Sequence, residues 1–116
     1  MISDFTRNAI PQLVSHELEY SKNQHEEQFH SLHEAESVIR EELEELEEHT
    51  ESIRNIFNDI HTILRGGIVE GADLESCALG IMIVAENAAM EAVQLSAMGK
   101  KLLEWDSHEK AKKAEE

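Results

Sequence analysis

Two glutamates in the segment 31–48 share a helical face with apolar side chains. At about 100° per residue, one face of a helix collects the apolar residues Leu32, Ala35, Val38, Ile39, Leu43 and Leu46. Glu42 falls inside this apolar stripe, and Glu45 lies at the edge of the stripe, one turn later. An ionised carboxylate directed into a bundle is costly unless a cation or a hydrogen-bonding partner compensates it. The spacing therefore indicates a metal ion or a polar partner at Glu42.

The competing interpretation is an ordinary solvated surface. Runs such as EELEELEE, residues 41–48, occur on exposed helix faces, where a glutamate at the edge of a stripe bends its stem towards water. Glu44, Glu47 and Glu48 fall on the far side of the helix and are assigned to that surface. A second inward-facing polar group is needed to favour a metal site over this interpretation.

Such a group lies on the last and most apolar segment of the chain, where Asn87, Glu91 and Gln94 are spaced at i, i+4 and i+7. Carboxylate oxygens suit Mg²⁺ or Mn²⁺, ions that in turn bind phosphate oxygens. Two carboxylates at i and i+3 project from one side of a helix and can reach one ion. Glu42 and Glu45 facing Glu91 are therefore a candidate metal site. The alternative is a set of buried hydrogen bonds between core helices.

Helices must position both groups, because the chain has five Gly and one Pro and is rich in Glu, Leu and Ala. Pro11 suits the first turn of a helix, which predicts a first helix from there to about Gln28. Ser31 and Glu34 form an S-x-x-E capping box that marks the start of the central helix. The chain is predicted to be an all-α helical bundle.

The apolar pattern of the central helix continues in phase as far as Leu64. This helix either runs unbroken or breaks within residues 49–52. The last helix is predicted over residues 73–105, and its broad apolar face predicts that it is the most buried of the three. We predict a single domain over residues 1–105 and a frayed or disordered charged tail over residues 106–116.

Composition limits the possible partners and compartment. A formal net charge of -15 argues against nucleic acids and anionic membranes, because phosphate backbones are bound by cationic surfaces. An anionic substrate would need metal cations to bridge it to the protein. Cys77 is the only cysteine, which suits a reducing compartment and a packing role. The sequence predicts no membrane span and no targeting segment, and so a cytoplasmic protein.

Two stretches of the sequence resemble a known family. FHSLHEAESVIREELEELEE (29–48) and NAAMEAVQLSAMGKKL (87–102) are similar to the two signature helices of MazG-like nucleoside triphosphate pyrophosphohydrolases, especially the small versions of phages and prophages. Those versions typically carry S-x-H-E-G-Y-A-V-I-x-E-E-x-x-E-L, followed later by N-x-x-x-E-A-x-Q-x-A-A-M-A. The resemblance covers about a third of the chain directly. It implies an all-α bundle of the NTP pyrophosphohydrolase type that forms a homodimer or homotetramer.

The resemblance also implies a reaction, the hydrolysis of a nucleoside triphosphate to a monophosphate and pyrophosphate with Mg²⁺ (Mn²⁺ possible). The family's E-E-x-x-E element falls on Glu41, Glu42 and Glu45, and the first Glu of its E-x-x-D element falls on Glu91. Glu42, Glu45 and Glu91 would hold the metal, and Glu41 would orient water or a second ion.

Gln94 stands where the family has Asp, so one anionic ligand is missing. Asn87 and Gln94 would bind substrate, and His33 is a further candidate for contact with a bound anion. Two alternatives to the enzyme stay open: a nucleotide-binding bundle with weak or no turnover, and a purely structural bundle.

Overall fold

A computed structural model describes residues 1–116 and contains three helices and no strands: α1 (Asp4–Gln24), α2 (Leu32–Leu64) and α3 (Leu74–Glu115). The prediction of an all-α protein is confirmed. By their packing, the residues divide into two compact units. The first unit comprises residues 1–43 and 92–116, and the second comprises residues 44–91.

Helix α1 begins earlier than the sequence predicts. Ser3 caps it, because its Oγ accepts a hydrogen bond from the Thr6 backbone N–H at 3.2 Å. Pro11 therefore lies inside the helix, not in its first turn. A proline there removes one backbone hydrogen-bond donor from the helix. The helix also ends earlier, at Gln24, so the prediction of a helix from Pro11 to Gln28 is wrong at both ends.

Helix α2 is unbroken over 33 residues. Its start is confirmed, because the Oγ of Ser31 accepts a hydrogen bond from the Glu34 N–H at 3.1 Å. Of the two alternatives for residues 49–52, the continuous helix is the one found. Thr50 and Ser52 donate their hydroxyl protons to the carbonyls of Glu47 and Glu48, so both fit inside the helix instead of capping a new one.

A short connection with two left-handed glycines leads from α2 to α3. Gly66 and Gly71 have φ of 85° and 78°, which side chains with a Cβ rarely adopt. Asp73 then caps α3, since its Oδ1 accepts from the Ser76 N–H at 2.8 Å while its own N–H donates to Ser76 Oγ. Residues 106–115, predicted as a frayed or disordered tail, continue α3 to its end at Glu115.

The core of the first unit is built from all three helices. One buried cluster contains Val14, Leu18, Phe29, Ala35, Ala97 and Met98. Phe29 comes from the connection before α2. Polar contacts join α1 to α3 at the surface: Lys22 Nζ lies 2.9 Å from a Glu104 carboxylate oxygen. These contacts fix α1 against the end of α3 in this unit.

The second unit is a hairpin of the later part of α2 and the earlier part of α3. Cys77 and Ala88 are its buried residues, which agrees with a packing role for the cysteine. The helices approach closely at Gly80, where an added Cβ would stand 3.1 Å from Ile56 Cδ1. Because α2 is the one helix that packs on α3 in this unit, side chains on the opposite side of α3 stay exposed, among them Leu79, Met82, Ile83 and Met90.

The last helix does carry more buried residues than α1 or α2, as predicted, but its part in the second unit is largely exposed. Within the single chain, only 6% of the most apolar 18-residue window of α3 is buried. The mean hydropathy of that window is 1.4, and by length and composition alone α3 could cross a membrane. The core helix of a soluble protein satisfies the same test. The prediction that no stretch approaches a membrane span was therefore too strong.

Candidate functional site

Helix α2 presents its glutamates as the periodicity predicts. Glu42 and Glu45 are half-buried, whereas Glu44, Glu47 and Glu48 are exposed. The unbroken helix places Glu45 one turn after Glu42, about 4.5 Å further along the axis. Their side chains project from the same side of α2.

Glu45 meets a second carboxyl group from α3 in the second unit. Its side chain shares a hydrogen bond with Glu91, which is also half-buried. That hydrogen bond raises the pKa of Glu45 above its ordinary 4.5, and charge repulsion from Glu91 and partial burial add to the increase. His49, one turn further along α2, opposes this increase in the pKa of Glu45. A hydrogen bond between two carboxyl groups requires a proton, so this contact favours the protonated form of Glu45.

Glu42, Glu45 and Glu91 form one group of acidic side chains. One carboxylate oxygen from each lies within 4.8 Å of the others. Ligand oxygens of an octahedral Mg²⁺ stand about 3 to 4 Å apart, so small side-chain rotations would bring these three to one ion. All three are hard oxygen donors, the type that Mg²⁺ and Mn²⁺ prefer. The group could therefore bind a divalent cation, and we call it the carboxylate cluster.

Cation binding at the carboxylate cluster should depend on pH. A cation binds the ionised form of Glu45, so affinity for Mn²⁺ should rise as the pH rises through the raised pKa of Glu45 and fall as the pH falls through it. Titration calorimetry of Mn²⁺ binding between pH 5 and about pH 8, in two buffers of different ionisation enthalpy, measures both the affinity and the proton release. An affinity that is constant across this range, with no proton released, would contradict the prediction.

The other predicted site residues are distributed over both units. Glu41 is exposed and Gln94 is half-buried, and both line a cavity of the first unit. Asn87 is half-buried in the second unit, one turn before Glu91. His33 is exposed on the first turn of α2 and does not line the cavity, whereas His30 does.

The cavity has a volume of about 590 Å³ and lies entirely in the first unit. Carboxylates, aromatic rings, two histidines and one lysine line it: Glu17, Tyr20, Ser21, His25, Glu26, Phe29, His30, Glu34, Val38, Glu41, Glu42, Gln94, Met98 and Lys101. Glu42 thus belongs both to this lining and to the carboxylate cluster. The volume suits a small organic molecule.

Lys101 is the buried charge of the cavity, with 5% of its surface exposed. Its Nζ lies 4.9 Å from the centre of the Phe29 ring, in cation–π contact. Burial lowers the pKa of the Lys101 ammonium, while the through-space charges of Glu34, Glu104 and Glu26 oppose that decrease. From its sequence, Lys101 is a candidate for contact with phosphates, with an interfacial or solvent-exposed lysine as the favoured interpretation, so its burial was not predicted. Its spacing from Ala97 and Met98 places it on the apolar face, and that signal could have found it.

His30 bridges two carboxylates at the edge of the cavity. Its Nδ1 lies 2.8 Å from Glu34 Oε2, and its Nε2 lies 2.8 Å from Glu26 Oε2. The bonds to Glu26 and then to Glu34 raise the pKa of His30, because only the imidazolium donates from both ring nitrogens. The bridge ties the end of the α1–α2 connection to the first turn of α2.

A scan against protein-family models and searches of curated proteins and of solved structures each returned no match.

Proposed function

We propose that the protein is a metal-dependent nucleoside triphosphate pyrophosphohydrolase of the MazG-like type, which converts a nucleoside triphosphate to a monophosphate and pyrophosphate. The observation that carries this proposal is the carboxylate cluster: Glu42 and Glu45 on α2 with Glu91 on α3. These are three of the positions on which the signature elements of the resemblance fall. The biological role that fits such an activity is housekeeping or remodelling of the nucleotide pool.

Glu42, Glu45 and Glu91 would hold Mg²⁺, with Mn²⁺ as a substitute. When bound, the ion would neutralise the charge of the triphosphate and lower the pKa of a coordinated water. The protein carries a net charge of -15, so a polyanionic substrate requires such a cation at an acidic site.

The residues of the chain would bind, orient and accept protons. Glu45 and Glu91 would hold the ion as carboxylates, and because the pKa of Glu45 is raised beside Glu91, cation binding there would be linked to proton release. Glu41, exposed on the cavity side of α2, would orient the attacking water or hold a second ion. Asn87 and Gln94, one turn to either side of Glu91, would donate amide protons to substrate oxygens.

A second candidate function is a nucleotide-binding bundle with weak or no turnover. Gln94 favours it, because a neutral amide occupies the position where the resemblance implies an anionic ligand. The pocket and the cation would be the same, and only the chemical step would be lost.

We also propose that the protein is a cytoplasmic homodimer or homotetramer that binds neither nucleic acid nor membrane. The exposed apolar residues of α3 in the second unit, Leu79, Met82, Ile83 and Met90, support an oligomer. A two-helix hairpin buries little apolar surface by itself, and a second copy of the same hairpin offers a face of the same chemistry.

The direct test of the function is release of pyrophosphate from a panel of canonical and modified nucleoside triphosphates with Mg²⁺ or Mn²⁺. We expect equal amounts of monophosphate and pyrophosphate, no inorganic phosphate as first product, and no reaction after removal of the metal with EDTA. A folded protein that binds nucleotide and metal without turnover would support the second candidate. A protein that binds neither would leave only a structural role.

A further inference from the structure

Lys101 and Glu34 place one cation and one carboxylate together in the cavity lining. Among the carboxylates that act on the Lys101 ammonium, Glu34 has the largest effect, ahead of Glu104 and Glu26. The side chain of Glu34 is fixed in turn, because His30 bonds its Oε2 at 2.8 Å and Ser31 bonds its backbone N–H. The lining therefore offers one donor-only group, the Lys101 ammonium, and a fixed acceptor-only group, the Glu34 carboxylate, that acts on it through space.

A charged lysine that is 95% removed from solvent is costly unless polar partners compensate it. The ring of Phe29 supplies part of the compensation, and the nearby carboxylates act on the ammonium through space. A ligand atom in the cavity that accepts a hydrogen bond would stabilise the ammonium further. The cavity is thus arranged for a ligand with an acceptor facing Lys101 and donors facing the carboxylates.

The bases of nucleotides differ in the hydrogen-bond donors and acceptors that their edges present. Guanine has a keto oxygen beside two adjacent donor groups, N1–H and the exocyclic 2-amino group, so one carboxylate can accept from both while an ammonium donates to the keto oxygen. Adenine has no keto oxygen, cytosine has one donor group on this edge, and uracil has one N–H between two acceptors. An acceptor-rich lining with a single ammonium suits guanine best.

We propose that this cavity binds the base of the substrate and selects a 2-amino-6-keto purine, with Lys101 donating to the keto oxygen and Glu34 accepting from the N1–H and 2-amino groups. The choice of a nucleobase as ligand rests on the proposed function. Tyr20, an exposed aromatic side chain of the same lining, offers a face for stacking. Glu42 lines the cavity and belongs to the carboxylate cluster, so a base bound here would leave its phosphates to a cation at Glu42.

The test uses free nucleosides with the full chain in the absence of metal, since a nucleoside needs neither a cation nor turnover in order to bind. Titration calorimetry compares guanosine with inosine, which lacks only the 2-amino group, and with adenosine. We expect guanosine to bind about tenfold more tightly than inosine, the effect of one lost hydrogen bond to a charged group, and to be preferred still more strongly over adenosine, which lacks the keto oxygen, the N1–H and the 2-amino group.

Two variants and one control assign the contacts. Lys101→Met keeps the length of the side chain and removes the donor, and Glu34→Gln removes the charge of the acceptor. Each should weaken guanosine binding about tenfold or more and reduce the preference over inosine or adenosine. Lys100→Met, at the neighbouring exposed position whose Nζ lies 3.4 Å from Ser15 Oγ, should leave guanosine binding unchanged. Circular dichroism confirms that each variant is folded.

The outcomes separate this inference from the proposed function. Equal binding of the three nucleosides to the unaltered protein, or no binding, overturns the inference even if pyrophosphate is released from triphosphates. Selective binding of guanosine that depends on Lys101 supports it even if no triphosphate is hydrolysed. If Lys101→Met does not fold, two measurements still test the base selectivity of the cavity. They are the comparison of guanosine with inosine on the unaltered protein and guanosine binding to Glu34→Gln.

Discussion

Replacing Glu45 by glutamine should reduce pyrophosphate release about 100-fold or more and weaken binding of Mn²⁺ about tenfold or more. The amide keeps the size of the side chain but removes the charge that a divalent cation requires. It also replaces the titratable carboxyl group beside Glu91 with an amide, which can donate a hydrogen bond to that carboxylate at any pH. Both changes act on the carboxylate cluster and leave the core of the first unit untouched.

The matched control is Glu47→Gln, on the exposed side of the same helix. It makes the same chemical change two residues away, with the same effect on net charge, and should alter neither activity nor Mn²⁺ affinity by more than about twofold. Mn²⁺ binding is measured by calorimetry and turnover by pyrophosphate release. If the two variants behave alike, the carboxylate cluster is not the metal site, and the acidic face of α2 serves only solubility.

Replacing Ile83 by glutamate should convert the proposed oligomer to a monomer. Ile83 is 58% exposed in the single chain and lies among the apolar residues of α3 that we propose are covered by a second copy. A glutamate buried there without a partner would cost about 3 kcal/mol or more on each side of a twofold interface. Light scattering should show the mass falling from a multiple of 13.2 kDa to 13.2 kDa, with the helical content retained in the monomer.

The control for this change is Ile68→Glu, at a residue that is 93% exposed in the connection between α2 and α3. It makes the same substitution outside the apolar face of α3 and should leave the mass unchanged. A monomeric unaltered protein would refute the proposed oligomer. Flotation of that protein with neutral lipid vesicles, lost in Ile83→Glu, would assign the apolar face of α3 to a membrane instead.

The phase of the glutamates in α2 could be predicted from sequence because helical periodicity is a local property. The 100° rotation per residue puts Glu42 and Glu45 towards other helices and Glu47 towards water, and their burial agrees. The same reasoning, applied to α3, selects Glu91 as the facing carboxylate. The cap at Ser31 is local as well, and it is found where the S-x-x-E pattern predicts it.

What the sequence did not predict depends on contacts between distant segments or on competing local signals. Pro11 was interpreted as lying in the first turn of a helix. The helix in fact begins earlier, because Ser3 caps it at Asp4. The burial of Lys101 was not predicted: helical periodicity places it on the apolar face of α3, but no local signal shows that the ring of Phe29 lies against its ammonium. The cavity itself is formed by side chains from α1, α2 and α3 that are up to 84 positions apart, Glu17 to Lys101.

Gly80 limits how the sequence of the second unit can vary. A methyl group at this position would stand 3.1 Å from the Cδ1 of Ile56, closer than ordinary van der Waals contact, so alanine fits only if the isoleucine side chain yields. A valine at position 56 lacks that terminal methyl group and would make room for the alanine. The two positions, one on α2 and one on α3, can therefore be inherited as alternative pairs, glycine with isoleucine or alanine with valine, and a substitution acceptable in one background is harmful in the other.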